Sequence, residues 1–477
     1  MMFSPDTRDR PSGIAALAAW LLLAALLGGC AGFSADGGLA VAQQIAKDRL
    51  GKDLVWVRSD ADRELVERRV AELLGTTLTA DAAVQIALLN NRELQANLFE
   101  LGITEAEVVQ AGRLPNPGFS FSRLQRGREV ELDRSLLFNL ARLLATPLIA
   151  EVEGRRFDQA RQAVAMSVVA LATEARKAWI NAVTAGQAVV YSRQIMQAAQ
   201  AGAELARRME RVGNFNKLQR AREQAFYADA ALNLARAERQ QGSRRERLTR
   251  LLGLWGSQTQ FALPERLPDL PQVADELPDI ERVALAQRLD IQVAKLVVEQ
   301  MAKNLGLTKA TRFVNVLEVG VVSNRSNILP TQQGWEVGFE LPLFDWGDAR
   351  VARSEAVYMQ ALNRAAQAAI DARSEVREAY VDYRAAYDIA RHHRDEIVPI
   401  RQRIAEENLL RYNGMLIGVF ELLADARSQI SSVNNTIEAL RDFWIARADL
   451  DMALIGKPSL VAPAGPATTA EPGGAAH

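Results

Sequence analysis

Few side chains in this sequence could do acid–base, covalent or metal chemistry, and their spacing limits what that chemistry could be. The chain has one cysteine, Cys30, and three histidines, His392, His393 and His477. A single thiol allows no internal disulfide and no thiolate metal cluster. His392 and His393 invite a metal site, but adjacent residues on a helix diverge by about 100° and do not readily share one ion. They read as surface polar residues. Glu336 and Glu340 would suit a glycosidase only across a substrate cleft; within an alternating strand they line a wet face instead. Glu421 and Asp425 stand four apart, on one face of a helix. No nucleophile, metal or cofactor loop accompanies any of these groups. The expectation is a protein without a cofactor that is not an enzyme.

The balance of charge narrows the classes further. Over 477 residues, 57 Lys and Arg face 58 Asp and Glu, and aromatics make up 6%. There is no basic stripe with interleaved aromatics, so nucleic acid is not an expected partner. Ala, Leu, Glu, Arg and Gln dominate the middle and late chain, the composition of long helices or coiled coils. That length holds two or three ordinary domains or one elongated architecture.

The elements that must position these groups follow from periodicity. Trp335, Val337, Phe339 and Leu341 alternate with Glu336, Gly338 and Glu340, which predicts a strand with one apolar and one wet face. Residues 314–324 form its expected partner, with Leu317, Val319 and Val321 on one face. A helix opens at Asp348 and runs to about Arg411 with a kink at Pro399; a last helix covers Val419 to Leu454. In the first half a short helical pattern covers Ala61 to Leu74. A firmer helix starts at Thr79 as N-cap and continues through Gln110, where Pro115 and Pro117 forbid extension. Phe119 to Leu140 reads as a strand hairpin, although 136–144 could equally begin a helix. From Arg155 to about Arg211 no proline occurs, on the order of 85 Å of helix. A turn at Gly213 and a second helix to Leu252 complete a helical hairpin.

The halves repeat. Ala87-Leu88 through Glu93-Leu94-Gln95 aligns with Ala284-Leu285 through Asp290-Ile291-Gln292 at one constant offset. Glu174 to Trp179 aligns with Glu375 to Tyr380, the turn at Gly213 with that at Gly414, and Leu252-Gly253 with Ile455-Gly456. Duplication on this scale constrains the fold more than any single motif. The expected segments are a signal peptide at 1–29, an N-terminal extension at 30–78, a first repeat at 79–263, a Pro-rich linker at 264–279, a second repeat at 280–457 and a disordered tail at 458–477.

At the start, Arg8 and Arg10 precede an apolar run from Ile14 to Leu27, too short and too near the terminus for a spanning helix. It ends in Leu27-Gly28-Gly29-Cys30, which resembles a bacterial lipobox. The resemblance implies cleavage before Cys30 and lipid on its thiol; a plain secretory signal is the alternative. Ala31 after the cysteine is compatible with sorting to the outer membrane.

Leu114-Pro115-Asn116-Pro117, Pro342-Leu343-Phe344-Asp345-Trp346-Gly347 and Arg411-Tyr412-Asn413-Gly414, in this order and with the duplication, resemble the TolC-like outer-membrane efflux protein family over roughly Thr79 to Gly456. Residues 141–149 lack the PLFDxG form of the second repeat, so the first strand pair departs from the pattern. The resemblance implies a mainly α fold with a small β part. Long coiled helical hairpins would form an α-barrel, and four strands per protomer would share a twelve-stranded β-barrel in a homotrimer. Open sheet edges in lipid are costly, and four strands do not close a barrel alone. The implied function is an outer-membrane channel of a multi-component exporter, passing substrate from a periplasmic adaptor and inner-membrane pump to the outside. Adaptor contacts would fall at Arg211, Val212 and Gly213 and at Tyr412, Asn413 and Gly414; alternatively both glycines are ordinary helix caps in left-handed geometry. In a trimer Glu421 and Asp425 would become carboxylate rings, a cation-selective device at a constriction. The bland alternative is a solvated or salt-bridged pair near Arg427. A periplasmic coiled-coil lipoprotein scaffold that never enters the membrane is the other functional class, and the alternation at Trp335 to Leu341 argues against it.

Overall fold

The computed structural model describes residues 32–313 and 316–457. The expected signal peptide, Cys30, His477 and the tail from 458 lie outside them. The helices are α1 (Ala40–Ile45), α2 (Asp60–Leu74), α3 (Ala80–Asn90), α4 (Arg92–Ala111), α5 (Leu140–Arg211), α6 (Lys217–Leu252), α7 (Ile280–Gln287), α8 (Leu289–Ala310), α9 (Asp348–His392), α10 (Val398–Asn413) and α11 (Val419–Ile455). The strands are β1 (Gly118–Arg126), β2 (Glu129–Asn139), β3 (Leu317–Ser326) and β4 (Gln332–Phe339). Among the described residues no helix is long and apolar enough to cross a membrane. The chain divides into two compact units.

The first unit holds the sheet together with residues 99–161 and 293–366 around it. The four strands lie in the order β1-β2-β3-β4, all antiparallel, so the hairpins of the two halves are joined through β2 and β3. The sequence leaves 136–144 open between strand and helix. The strand continues to Asn139, whose side chain accepts the Arg142 N–H at 2.8 Å and caps α5 directly. That helix therefore begins fifteen residues before the expected Arg155, and it accommodates Pro147. On the other side, β4 ends at Phe339, so Leu341 stands beyond the strand rather than in it. Ion pairs hold the helices here: Arg156 with Glu107 at 3.0 Å, Lys303 with Glu151 at 2.9 Å and Lys309 with Glu355 at 2.9 Å. All are half-exposed, so each adds little.

The second unit is helical. The expected helix from Thr79 to Gln110 is in fact two, because Asn91 is extended (φ −67°, ψ 121°) between α3 and α4. Arg288 does the same between α7 and α8 (φ −66°, ψ 128°). The break is thus a duplicated feature. In the first half Asn91 donates to Leu251 O at 2.9 Å; in the second Arg288, fully buried, bridges Asp290 at 2.7 Å, Glu375 at 2.6 Å and Ala453 O at 3.3 Å. The Pro-rich segment after Leu263 has little regular structure, and side chains of neighbouring helices satisfy its backbone. Tyr387 donates to Gln272 O at 2.7 Å, Trp444 to Pro268 O at 3.0 Å, and the Tyr383 hydroxyl accepts the Asp275 N–H at 3.0 Å. Beneath them Tyr383, Tyr387 and Phe443 pack ring to ring at 5.7 and 5.8 Å. Burying each such ring stabilises by about 1.5–3 kcal/mol. The kink expected at Pro399 is a π-turn at His393–Ile397, just before the proline.

Candidate functional site

Strand register decides which side chains share a face, and the result is a sheet with two unlike sides. One cross-strand row reads Phe119, Leu136, Val321, Trp335. The next toward the helices reads Phe138, Val319, Val337, and the one after it Leu317, Phe339. Toward the hairpin tips the row is Phe121, Arg134, Ser323, Gln333. At about 3.4 Å per residue, these four rows span roughly 20 Å along the strands. Their aromatic members are exposed, Phe119 by 68%, Trp335 by 78% and Phe339 by 61%, while Leu136, Leu317 and Val319 are half-buried.

The opposite side carries the carboxylates. Glu129, Glu131, Asp133, Glu318 and Glu336 all share it, with Ser120, Ser122, Ser135, Asn324 and Gln332. Neutral groups serve the acids: Ser122 donates to Asp133 at 3.3 Å, Ser326 to Glu129 at 3.4 Å, and the Asn324 amide to Glu131. Ser120 and Ser135 bridge at 2.7 Å. Gly320, opposite Leu137 and Glu336, lies on this face, and a Cβ there would lie 2.9 Å from Leu136 O and from the Leu137 side chain. Glu340 follows β4, its N–H reaching Val316 O at 3.4 Å.

The motif after β4 is a sharp turn into α9. Asp345 accepts the Gly347 N–H at 2.8 Å, and Gly347 adopts φ +72°. A Cβ there would meet Arg312 O at 2.8 Å, while Arg312 Nε donates to Trp346 O at 2.9 Å. Only glycine fits that combination of φ and contact. Leu343, Phe344 and Trp346 are left exposed, Phe344 almost completely.

Each helical hairpin ends in the same hydrogen-bond pattern, but displaced from the alignment of the glycines. In the first turn Gly213 N–H donates to Glu210 O at 3.0 Å and Asn214 N–H to Met209 O at 2.9 Å, with Gly213 at φ +78°. In the second, Met415 N–H donates to Tyr412 O at 3.0 Å and Leu416 N–H to Arg411 O at 2.8 Å, with Met415 at φ 57°. These are matching Schellman caps. Gly414, at φ −79°, is not left-handed. Asn413 and Gly414 therefore match Arg211 and Val212, and Tyr412 lies one residue earlier. Val212, Met415 and Leu416 are exposed at the tips.

Glu421 occupies the third position of α11, exposed, and Asp425 is half-buried one turn on. Among the described residues neither makes an ion pair. Arg427 pairs instead with Glu223 of α6 at 2.7 Å and lies over the Phe226 ring at 4.3 Å. The Glu223 side chain is only 4% exposed, and nothing in its surroundings in the sequence, Arg222-Glu223-Gln224, separates it from the solvated acids. His392 Nδ1 lies 3.3 Å from Glu396 and His393 Nδ1 lies 3.3 Å from Thr436, so the two rings take different partners.

No family model and no curated protein matches the chain. Its architecture is nevertheless that of solved outer-membrane channels. A membrane protein from Pseudomonas aeruginosa superposes with a TM-score of 0.69 at 18% identity, covering 79% of this chain and 92% of that one. The Campylobacter jejuni CmeC outer membrane channel gives 0.67 at 15% identity, with 86% and 91% covered. The open state of the Neisseria gonorrhoeae MtrE outer membrane channel gives 0.63 at 18% identity, with 78% and 88% covered. The chain has the TolC-like channel fold.

Proposed function

We propose that this protein is an outer-membrane channel of a multi-component export system, acting as a homotrimer whose protomers share a twelve-stranded barrel. The observation that carries this is the four-stranded sheet itself. It has three successive apolar rows on one side, carboxylates on the other and two exposed edge strands, β1 and β4. In lipid, unpaired edge groups cost several kcal/mol each, so β1 of one copy would pair with β4 of the next. The apolar rows would then face lipid and the acids a wet lumen. The helical unit would line a periplasmic conduit toward a periplasmic adaptor and an inner-membrane pump.

The turns at Arg211–Gly213 and Asn413–Met415, with Tyr412 beside the second, are the proposed adaptor contacts. Threefold symmetry would set Glu421 and Asp425 in carboxylate rings, a candidate constriction. A lipid on Cys30 would add a membrane anchor to the barrel.

The test is conductance of the purified protein in planar bilayers, with chemical cross-linking of the same sample. Steps of uniform size from a species cross-linked to three protomers are expected, with cation selectivity that weakens in Glu421→Ala/Asp425→Ala. A trimer without conductance contradicts the channel; unchanged selectivity removes the two acids from the constriction.

A further inference from the structure

Beyond the apolar rows lie three arginines that the channel function does not use. Arg123 and Arg325 share one row across Leu132, and Arg134 stands in the row below, between Phe121 and Ser323. All three are exposed and lie on the side of the sheet that carries Trp335. They cluster at the hairpin end, Arg123 and Arg325 roughly 14 Å along the strands from the Trp335 row. Among the described residues none of them makes an ion pair.

The acids of the strands keep to one side, where Arg126 stands opposite Glu129, and the other side carries only basic charge. The described carboxylates of the strands, Glu129, Glu131, Asp133, Glu318 and Glu336, occupy the opposite side, where serine and asparagine groups serve Glu129, Glu131 and Asp133. The arginine side carries Phe119, Phe121, Arg123 and Gln125 on β1 and Val130, Leu132, Arg134, Leu136 and Phe138 on β2. On β3 it carries Leu317, Val319, Val321, Ser323 and Arg325, and on β4 Gln333, Trp335, Val337 and Phe339. None of these is acidic. A second copy continuing the sheet from either edge would present the same side chains on that side, and so could not neutralise the arginines. Among the described strand residues nothing on that side supplies their counter-charge.

We infer that Arg123, Arg134 and Arg325 bind the phosphate groups of an anionic lipid in the leaflet at the hairpin tips, of the phosphorylated lipid A type. The inference rests on the barrel proposed above. An arginine at the edge of an apolar band can lay its stem along the acyl chains and place its guanidinium among the headgroups. The guanidinium is a planar fork that matches phosphate oxygens in pairs. A free anion would gain nothing from the apolar rows next to it, whereas a lipid fills both.

The experiment uses the full-length protein in phosphatidylcholine vesicles, floated first to establish insertion. Protein that does not float with neutral vesicles overturns the barrel, and this inference with it. For inserted protein, binding of fluorescent lipid A is measured with and without its phosphates, and in Arg123→Gln/Arg134→Gln/Arg325→Gln. Each basic side chain near a charged surface contributes roughly fivefold, so the triple variant should bind on the order of 100-fold more weakly. Wild-type protein should lose a similar factor when the lipid lacks phosphate, a comparison independent of how the variant folds. Inorganic phosphate at equal concentration should not compete. Equal affinity for the dephosphorylated lipid, unchanged affinity in a floating triple variant, or competition by inorganic phosphate would each overturn the proposal.

Discussion

Gly213 and Met415 occupy the same position in the two helical turns, each left-handed and each closing a Schellman cap. A bulky residue in that conformation costs about 1–2 kcal/mol that glycine avoids. Met415→Gly should therefore raise stability by about 1 kcal/mol, and Gly213→Ala should lower it by a similar amount. A Cβ at Gly213 meets open space, so backbone strain alone is measured there. Denaturant midpoints of the two variants check the pair; equal shifts of one sign would contradict the equivalence.

The Glu223–Arg427 pair ties α6 to α11 close to those turns. Removing the arginine strands a buried carboxylate, which costs about 3 kcal/mol or more. Arg427→Gln should be the more harmful single change, and adding Glu223→Gln to it should restore much of the loss. A double-mutant cycle on unfolding midpoints reads the coupling, and additive effects would mean the two groups do not support each other.

The two sides of β4 should respond oppositely to charge. Val337→Arg puts a cation in the apolar rows, at a cost of about 2–4 kcal/mol if the row lies at mid-bilayer. Glu336→Arg, on the carboxylate side, should assemble normally and shift only ion selectivity. Heat-stable assembly on gels and single-channel selectivity separate these outcomes. Equal assembly of both variants would contradict the assignment of faces.

How much of this was legible in the sequence depends on the reach of each signal. The alternation at Trp335 is local and survives in β4, and the duplication reappears in the matching breaks at Asn91 and Arg288. Those breaks themselves carry no proline or glycine, so a continuous helical pattern concealed a single extended residue. Leu341 kept the alternation beyond the point where pairing stops at Phe339. Register between β2 and β3 joins residues nearly 200 positions apart, so the gathering of Arg123, Arg134 and Arg325 on the acid-free side had no local signature. In the second repeat the left-handed residue is Met415, one beyond Gly414, at a site glycine usually takes. Burial of Glu223 is set by its partner Arg427, again far away in sequence.

Asp62 gives the pH prediction. Its carboxylate accepts from the Ser59 hydroxyl and from the Arg58 and Ser59 N–H groups, which hold it below the ordinary aspartate value. A lowered folded value means that the unfolded chain binds the proton first as pH falls. The stabilisation of α2 is thus full above the ordinary aspartate value and is lost as pH falls through the lowered one. At neutral pH Asp62→Asn should reduce hydrogen-exchange protection of the first turn of α2 relative to wild type, and the difference should close in acid. A difference that persists unchanged at low pH would mean that the capping box gains nothing from the charge.

The central claim is that the sheet itself lies in the membrane. Replacing Cys30 with Ala behind an ordinary cleavable signal removes any lipid anchor and leaves every strand intact. The measurement is retention of this variant in outer membranes after washing with alkaline carbonate. Retention, with heat-stable assembly, is the predicted result. Release of folded, exported protein into the wash would show that acyl chains alone had held it, and would contradict the channel in favour of a periplasmic scaffold.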